Sequence, residues 1–190
     1  MTEHVCPYWA GYFLANRLRK LLQNPYKILA PYVKPGMTVL DVGSAMGFFS
    51  LPLAEMVGPS GKVVCVDVQP KMLQVLHRRA AETGLAERIE TCVSSEDSIG
   101  LKGRDAGFDF ALAFTMMHEV GNQANFLHDI FRMLKPGAMF LLTEPVKHVS
   151  RAEFDRTISL AQQEGFAVTA HPLIRLSHTA VLQKPLQNRP

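Results

Sequence analysis

Three groups of residues are candidates for a ligand or a reaction. The first is Asp41-Val42-Gly43-Ser44-Ala45-Met46-Gly47. A β-branched and apolar run, Thr38 to Val42, leads into these small residues, and an apolar pattern suited to a helix follows them. Strand, glycine-rich turn and helix make the first half of a nucleotide-binding βαβ unit. Small residues let the backbone turn tightly and approach a ligand, and the helix N-terminus offers free N–H groups. The second is Asp67, which closes the apolar run Lys62 to Val66 about 20 residues beyond the turn. Such folds place a carboxylate there to accept from ribose hydroxyls. The alternative for Asp67 is a cap at the strand-to-helix junction before Gln69-Pro70. The third is His118-Glu119. Histidine titrates near neutrality and is a candidate general base, and Glu119 is a second candidate. The alternative is that one of them caps the next helix and the other is solvated.

Spacing separates possible ligands. A dinucleotide fingerprint needs glycine at 43, 45 and 48, and position 48 is Phe. A nicotinamide-dependent oxidoreductase is therefore the less favoured reading. His118-Glu119-Val120-Gly121-Asn122 lacks the second histidine of a zinc helix, so no metal is expected. Glu144 is a further acid beyond a strand end, and His148 and His171 read as loop histidines. Cys6, Cys65 and Cys92 are three widely spaced cysteines with no C-x-x-C. Cys65 and Cys92 fall in expected buried strands, which argues against a disulfide framework or a thiolate trio and for a reducing, cytoplasmic setting.

The chain has 190 residues, 47% of them hydrophobic, and a net charge of +3 with no contiguous basic stripe. That suits one sizeable core and gives no nucleic-acid footprint. No apolar run reaches the roughly 18 residues of a membrane span, and the first residues lack a signal-peptide layout.

The elements that position these groups alternate. An amphipathic helix is expected over Tyr12–Gln23, then a short one opened by Pro25. Strands are expected at 38–42, 63–67, 88–93, 108–114 and 138–143. Helices are expected at 48–57, 70–83, 124–134 and 151–164. Lys135-Pro136-Gly137 reads as a turn into the fifth strand. Such alternation implies a parallel sheet covered on both faces, with ligands beyond the C-terminal strand ends. Two final strands, at 165–169 and 178–184, are close enough in sequence to pair antiparallel.

Asp41-x-Gly43-x-Ala45-x-Gly47, with Asp67 closing the next strand, resembles motif I of class I S-adenosylmethionine (SAM)-dependent methyltransferases. Phe108-Asp109 at the fourth strand, the Phe131-Arg132-Met133-Leu134-Lys135-Pro136-Gly137-Ala138 segment and the final hairpin extend the resemblance over about residues 35–185. It implies a Rossmann-like, doubly wound, mostly parallel seven-stranded sheet with an antiparallel last strand and helices on both faces. It also implies a helical arm over residues 1–34 covering the cofactor, where the alternative, compatible with it, is an ordinary helix packed on the sheet edge, and a SAM-binding domain over 35–190. Ala45 departs from the pattern, where the middle residue is usually glycine. If its φ is positive, the methyl group costs roughly 1 kcal/mol or more.

The implied cofactor-binding set is Asp41, Gly43, Ser44, Ala45, Gly47, Asp67, Val68, Gln69, Met72, Ser95, Glu96, Asp97, Phe114 and Thr115. Within it Ser95, Glu96 and Asp97 are the adenine candidates, and the segment with Thr115, His118 and Glu119 borders the methyl donor and acceptor. Met72 either packs on adenine or belongs to the core. The activity implied is methyl transfer from SAM to a small, partly apolar acceptor, leaving S-adenosylhomocysteine. Cys6 and Trp9, the short loops, or a second protein chain such as another copy are candidates to complete the site. The rival reading is a non-catalytic binding or scaffold subunit of the same fold.

Overall fold

The computed structural model describes residues 22–95 and 98–186. The helix expected before Gln23, with Cys6 and Trp9, lies outside them for all but its last two residues. The chain divides into two compact units, Met1–Ser94 and Ser95–Pro190.

Among the described residues of the first unit, the first helix is α1, Pro25–Leu29, where Asn24 caps the N-terminus by accepting from the amides of Tyr26 and Lys27. Strands β1 (Thr38–Val42) and β2 (Lys62–Asp67) pair in parallel, with Asp41 opposite Cys65. Strand β3 (Ile89–Val93) adds in parallel to β2, with Asp67 opposite Val93. Helices α2 (Ser50–Val57) and α3 (Pro70–Glu82) make the crossovers. In α3 the residues at 72, 73, 75, 76 and 80 are buried, the stripe of a helix with one apolar face. β2 is buried from Val63 to Asp67, as a strand covered on both faces must be.

The second unit contains β4 (Phe108–Phe114), a 3-10 turn (Met117–Glu119), α4 (Gln123–Met133) and β5 (Leu134–Pro145). It ends with α5 (Arg151–Gln163), β6 (Ala167–Ala170) and β7 (Ser177–Gln183). β4 and β5 are parallel, and β7 runs antiparallel to both β5 and β6. Phe108, Phe110, Phe140 and Phe154 are fully buried in this unit. Each such burial contributes on the order of 2–3 kcal/mol. Ser150 and Glu153 form a reciprocal capping box on α5.

The seven strands have the order β3-β2-β1-β4-β5-β7-β6. The expected fold class is therefore the observed one: mostly parallel, with the last strand of the chain antiparallel. One element differs. Lys135-Pro136-Gly137 lies inside β5 as an irregularity, where the pairing register to β4 shifts between Phe108 and Phe110. Gly137 has φ +82° there, so the local sequence of a turn is used as a bulge. No described helix is long and apolar enough to cross a membrane.

Candidate functional site

Two clusters stand at strand ends, one in each unit. In the first unit, the turn after β1 takes left-handed backbone at every second residue: Gly43 φ 70°, Ala45 φ 46° and Gly47 φ 84°. The turn is pinned by the neighbouring strand. The amides of Gly43 and Ser44 both donate to the Val66 carbonyl, at 2.8 and 3.1 Å. The Gly47 amide donates to Ser44 O at 3.0 Å. A side chain at position 47 would drive its Cβ into Leu76 Cδ1. From α3, the Arg79 guanidinium donates to the Met46 carbonyl and ties the turn from behind.

Asp67 holds the same turn from the front. Its Oδ2 accepts from the Ala45 amide at 2.9 Å, and its Oδ1 accepts from the Gln69 amide at 2.9 Å. The second bond is the cap-like contact considered from sequence. It leaves each carboxylate oxygen a further lone pair to offer. Burial raises the Asp67 carboxyl above its ordinary range, against the pull of the two amide bonds.

Asp41 lies deeper. It is 3% exposed and accepts from Ser50 Oγ at 2.5 Å. Burial pushes its carboxyl up to about 7; the Ser50 bond opposes this and the Asp67 charge adds to it. Ser44 Oγ is buried and has no hydrogen-bond partner among the described residues. A buried hydroxyl without a partner is costly, and beside a glycine-rich turn it is a group available to a polar ligand. The donor set fits a nucleoside with an amino-acid tail: carboxylate acceptors for hydroxyls and an amine, and turn amides and a hydroxyl for oxygens.

Met72 is 2% exposed and packs with Met46, Val75 and Ala45. Val68, beside Asp67, is 37% exposed, an apolar side chain left at the strand end.

Ala45 has positive φ, the one of the two cases in which its methyl group is strained. Replacing Ala45 with glycine removes a penalty of roughly 1–2 kcal/mol, offset by glycine's larger unfolded-state entropy and the lost methyl contact. The expected result is a gain of up to about 1 kcal/mol, read from urea unfolding. A less stable variant would mean that the packing of the methyl against Met46 and Met72 outweighs the strain.

In the second unit, Ser95 and Ser98 are tied by hydrogen bonds. The Ser95 amide donates to Ser98 O at 3.1 Å, and Asp129 Oδ2 on α4 accepts from Ser98 Oγ and the Ile99 amide. Glu96 and Asp97 lie outside the described residues. Phe114 is buried at the end of β4. Thr115 has φ 60°, an outlier for a β-branched residue, and its amide is held by Thr143 O at 2.8 Å. Strained backbone of this kind persists only where the surroundings enforce it.

The residues just after Thr115 are held by Glu144, which the sequence marked only as an acid beyond a strand. Its side chain is 2% exposed. Its Oε1 accepts from the amides of Met116 and Met117 at 3.1 and 2.9 Å, and its Oε2 bonds His118 Nδ1. On the other edge of that ring, Nε2 lies 3.9 Å from Glu119 Oε1. His148 stacks on the ring face, with centroids 6.1 Å apart and planes 4° apart. The Glu144 bond raises the His118 pKa; burial opposes this, and the Glu144 and Glu119 charges add to it. A sequence signal for Glu144 existed: like Asp67, it is a lone carboxylate ending an apolar strand.

Residues 33–180 match the family described as methyltransferase domain. A ubiquinone/menaquinone biosynthesis C-methyltransferase of Brucella anthropi is 34% identical over 119 residues, covering 61% of this chain and 43% of that protein. A demethylmenaquinone methyltransferase of Symbiobacterium thermophilum is 33% identical over 63% of this chain and 47% of that protein. The chain thus spans about half the length of these curated relatives. Among solved structures, a SAM-dependent methyltransferase from Aquifex aeolicus is similar with a TM-score of 0.84 and 26% identity, over 95% of this chain and all of that one. With the glycine-rich turn closed by Asp67 and with this match over most of its length, the chain belongs to the methyltransferase domain family.

Proposed function

We infer that the chain is a SAM-dependent methyltransferase acting on a small, partly apolar acceptor. The observation that carries this is Asp67 closing on the left-handed turn Gly43–Gly47, in which the Ser44 hydroxyl has no partner among the described residues. Asp67 accepts from the ribose hydroxyls, and Asp41, Ser44 and the turn amides serve the amino-acid end. Val68 offers an apolar surface at the end of β2, and Ser95 remains the adenine candidate among the described residues. When bound, SAM supplies a methyl group on a positively charged sulfur, so the chain's own work is to orient the acceptor, exclude water and manage a proton. His118 and Glu119 are the candidate groups for that proton.

The relatives named for quinone biosynthesis favour an aromatic, quinone-like acceptor. A reducing cytoplasm as the place of action is part of the same reading, supported by the free thiols Cys65 and Cys92. The test is transfer of labelled methyl from SAM to reduced naphthoquinones, phenols and amines. Label on a reduced naphthoquinone supports the reading. SAM binding with no transfer to any of them would favour the non-catalytic reading, for which the strained Ala45 turn is the specific observation.

A further inference from the structure

We propose that Glu144 is a positioning residue that holds His118 with its Nδ1 protonated, making Nε2 the proton acceptor of the site. The inference rests on the methyltransferase reading and adds the residue that prepares the base.

Glu144 is more constrained than a solvated acid. Both backbone amides entering the 3-10 turn point at Oε1, and Oε2 remains for the imidazole. An ionised carboxylate can only accept, so the ring nitrogen facing Oε2 must be the one that carries hydrogen. In the neutral ring the other nitrogen then has a lone pair. Nε2 makes no hydrogen bond among the described residues. At 3.9 Å, Glu119 Oε1 is too far for one but close enough to stabilise a charge that appears there. Among the described residues, the groups facing the ring are Glu144 from the end of β5, His148 from the loop after it, and Glu119 from the same turn. Thr115, in its left-handed conformation, starts the turn that presents the ring.

The step balances without a further reactant. The acceptor's O–H or C–H proton passes to Nε2 as its electron pair forms the bond to the methyl carbon. The carbon–sulfur bond breaks and its pair stays on sulfur, leaving neutral S-adenosylhomocysteine. The imidazolium between Glu144 and Glu119 then loses its proton to solvent.

The raised pKa has a consequence for rate. Only the neutral ring accepts a proton, so turnover is expected to rise with pH through the His118 titration. Removing the Glu144 charge should move that titration to lower pH.

The experiment is nitrogen NMR of the histidine rings in the full chain without cofactor, with the His118 signals assigned by their loss in His118→Gln. In the wild type, the neutral ring should be the Nδ1–H form. In Glu144→Gln the amide oxygen can keep the Met116 and Met117 amides, which leaves its NH2 facing Nδ1. The ring should then switch to the Nε2–H form and titrate at lower pH. A wild-type ring in the Nε2–H form overturns the proposal, even if the variant fails to fold. So does an unchanged tautomer and titration in a folded Glu144→Gln. The measurement needs no SAM, so its failure is distinct from failure of the methyltransferase reading.

Discussion

Asp67→Ala is expected to weaken binding of SAM and S-adenosylhomocysteine by tenfold or more and to destabilise the chain by about 2 kcal/mol. Two losses are combined. The carboxylate's remaining lone pairs no longer accept from the ribose, and a charge-assisted pair of hydrogen bonds is worth more than a neutral one. The Ala45 and Gln69 amides also lose their acceptor at a position that is 8% exposed. An unpaired buried amide costs roughly 1–3 kcal/mol, and the turn here is near enough to solvent for partial rescue by water. Urea unfolding reads the stability, and calorimetric titration of the folded variant reads the affinity. Stability lost with affinity unchanged would reduce Asp67 to a structural clasp for the turn.

The cofactor-free protein is expected to lose stability as pH rises from about 4 to about 7, by up to about 4 kcal/mol from Asp41 alone. Burial puts the folded-state pKa of Asp41 at about 7, against an ordinary value near 3.9 in the unfolded chain. Between these values the folded protein keeps a proton that the unfolded chain has released. A rise in pH therefore favours unfolding, and the Asp41 contribution is constant below the lower value and above the upper. Asp67, also raised by burial, acts in the same direction. Asp41→Asn, with an amide oxygen still able to accept from Ser50 Oγ, should remove most of this slope and be the more stable protein at pH 8. Parallel stability–pH curves for wild type and variant would show that Asp41 is ionised in the fold.

The parts of the site that were legible in the sequence are those built by contiguous residues. Thr38 to Gly47 and Lys62 to Asp67 each carry their own strand and turn chemistry, and a parallel pair joined by one helix follows from them. The antiparallel final hairpin was legible for a similar reason, because a short loop limits how two strands can pair. The conformation of Ala45 was not. Its positive φ depends on the Val66 carbonyl and the Asp67 carboxylate, both across the strand pair. The Glu144–His118 pair was also hidden, since it joins residues 26 apart through the β4–β5 register. That register includes the irregularity at Lys135-Pro136-Gly137, where local residues read as a turn and the neighbouring strand holds them in the sheet. Met72 could be read either as a cofactor contact or as core; its burial with Met46 and Val75 comes from tertiary packing.

Binding of SAM through the turn and Asp67 is read by calorimetric titration of the wild-type protein. SAM and S-adenosylhomocysteine should each bind at one site, on the order of micromolar, and NAD should give no heat under the same conditions. Absence of binding by both members of the pair, or saturable NAD binding in their place, would contradict the account.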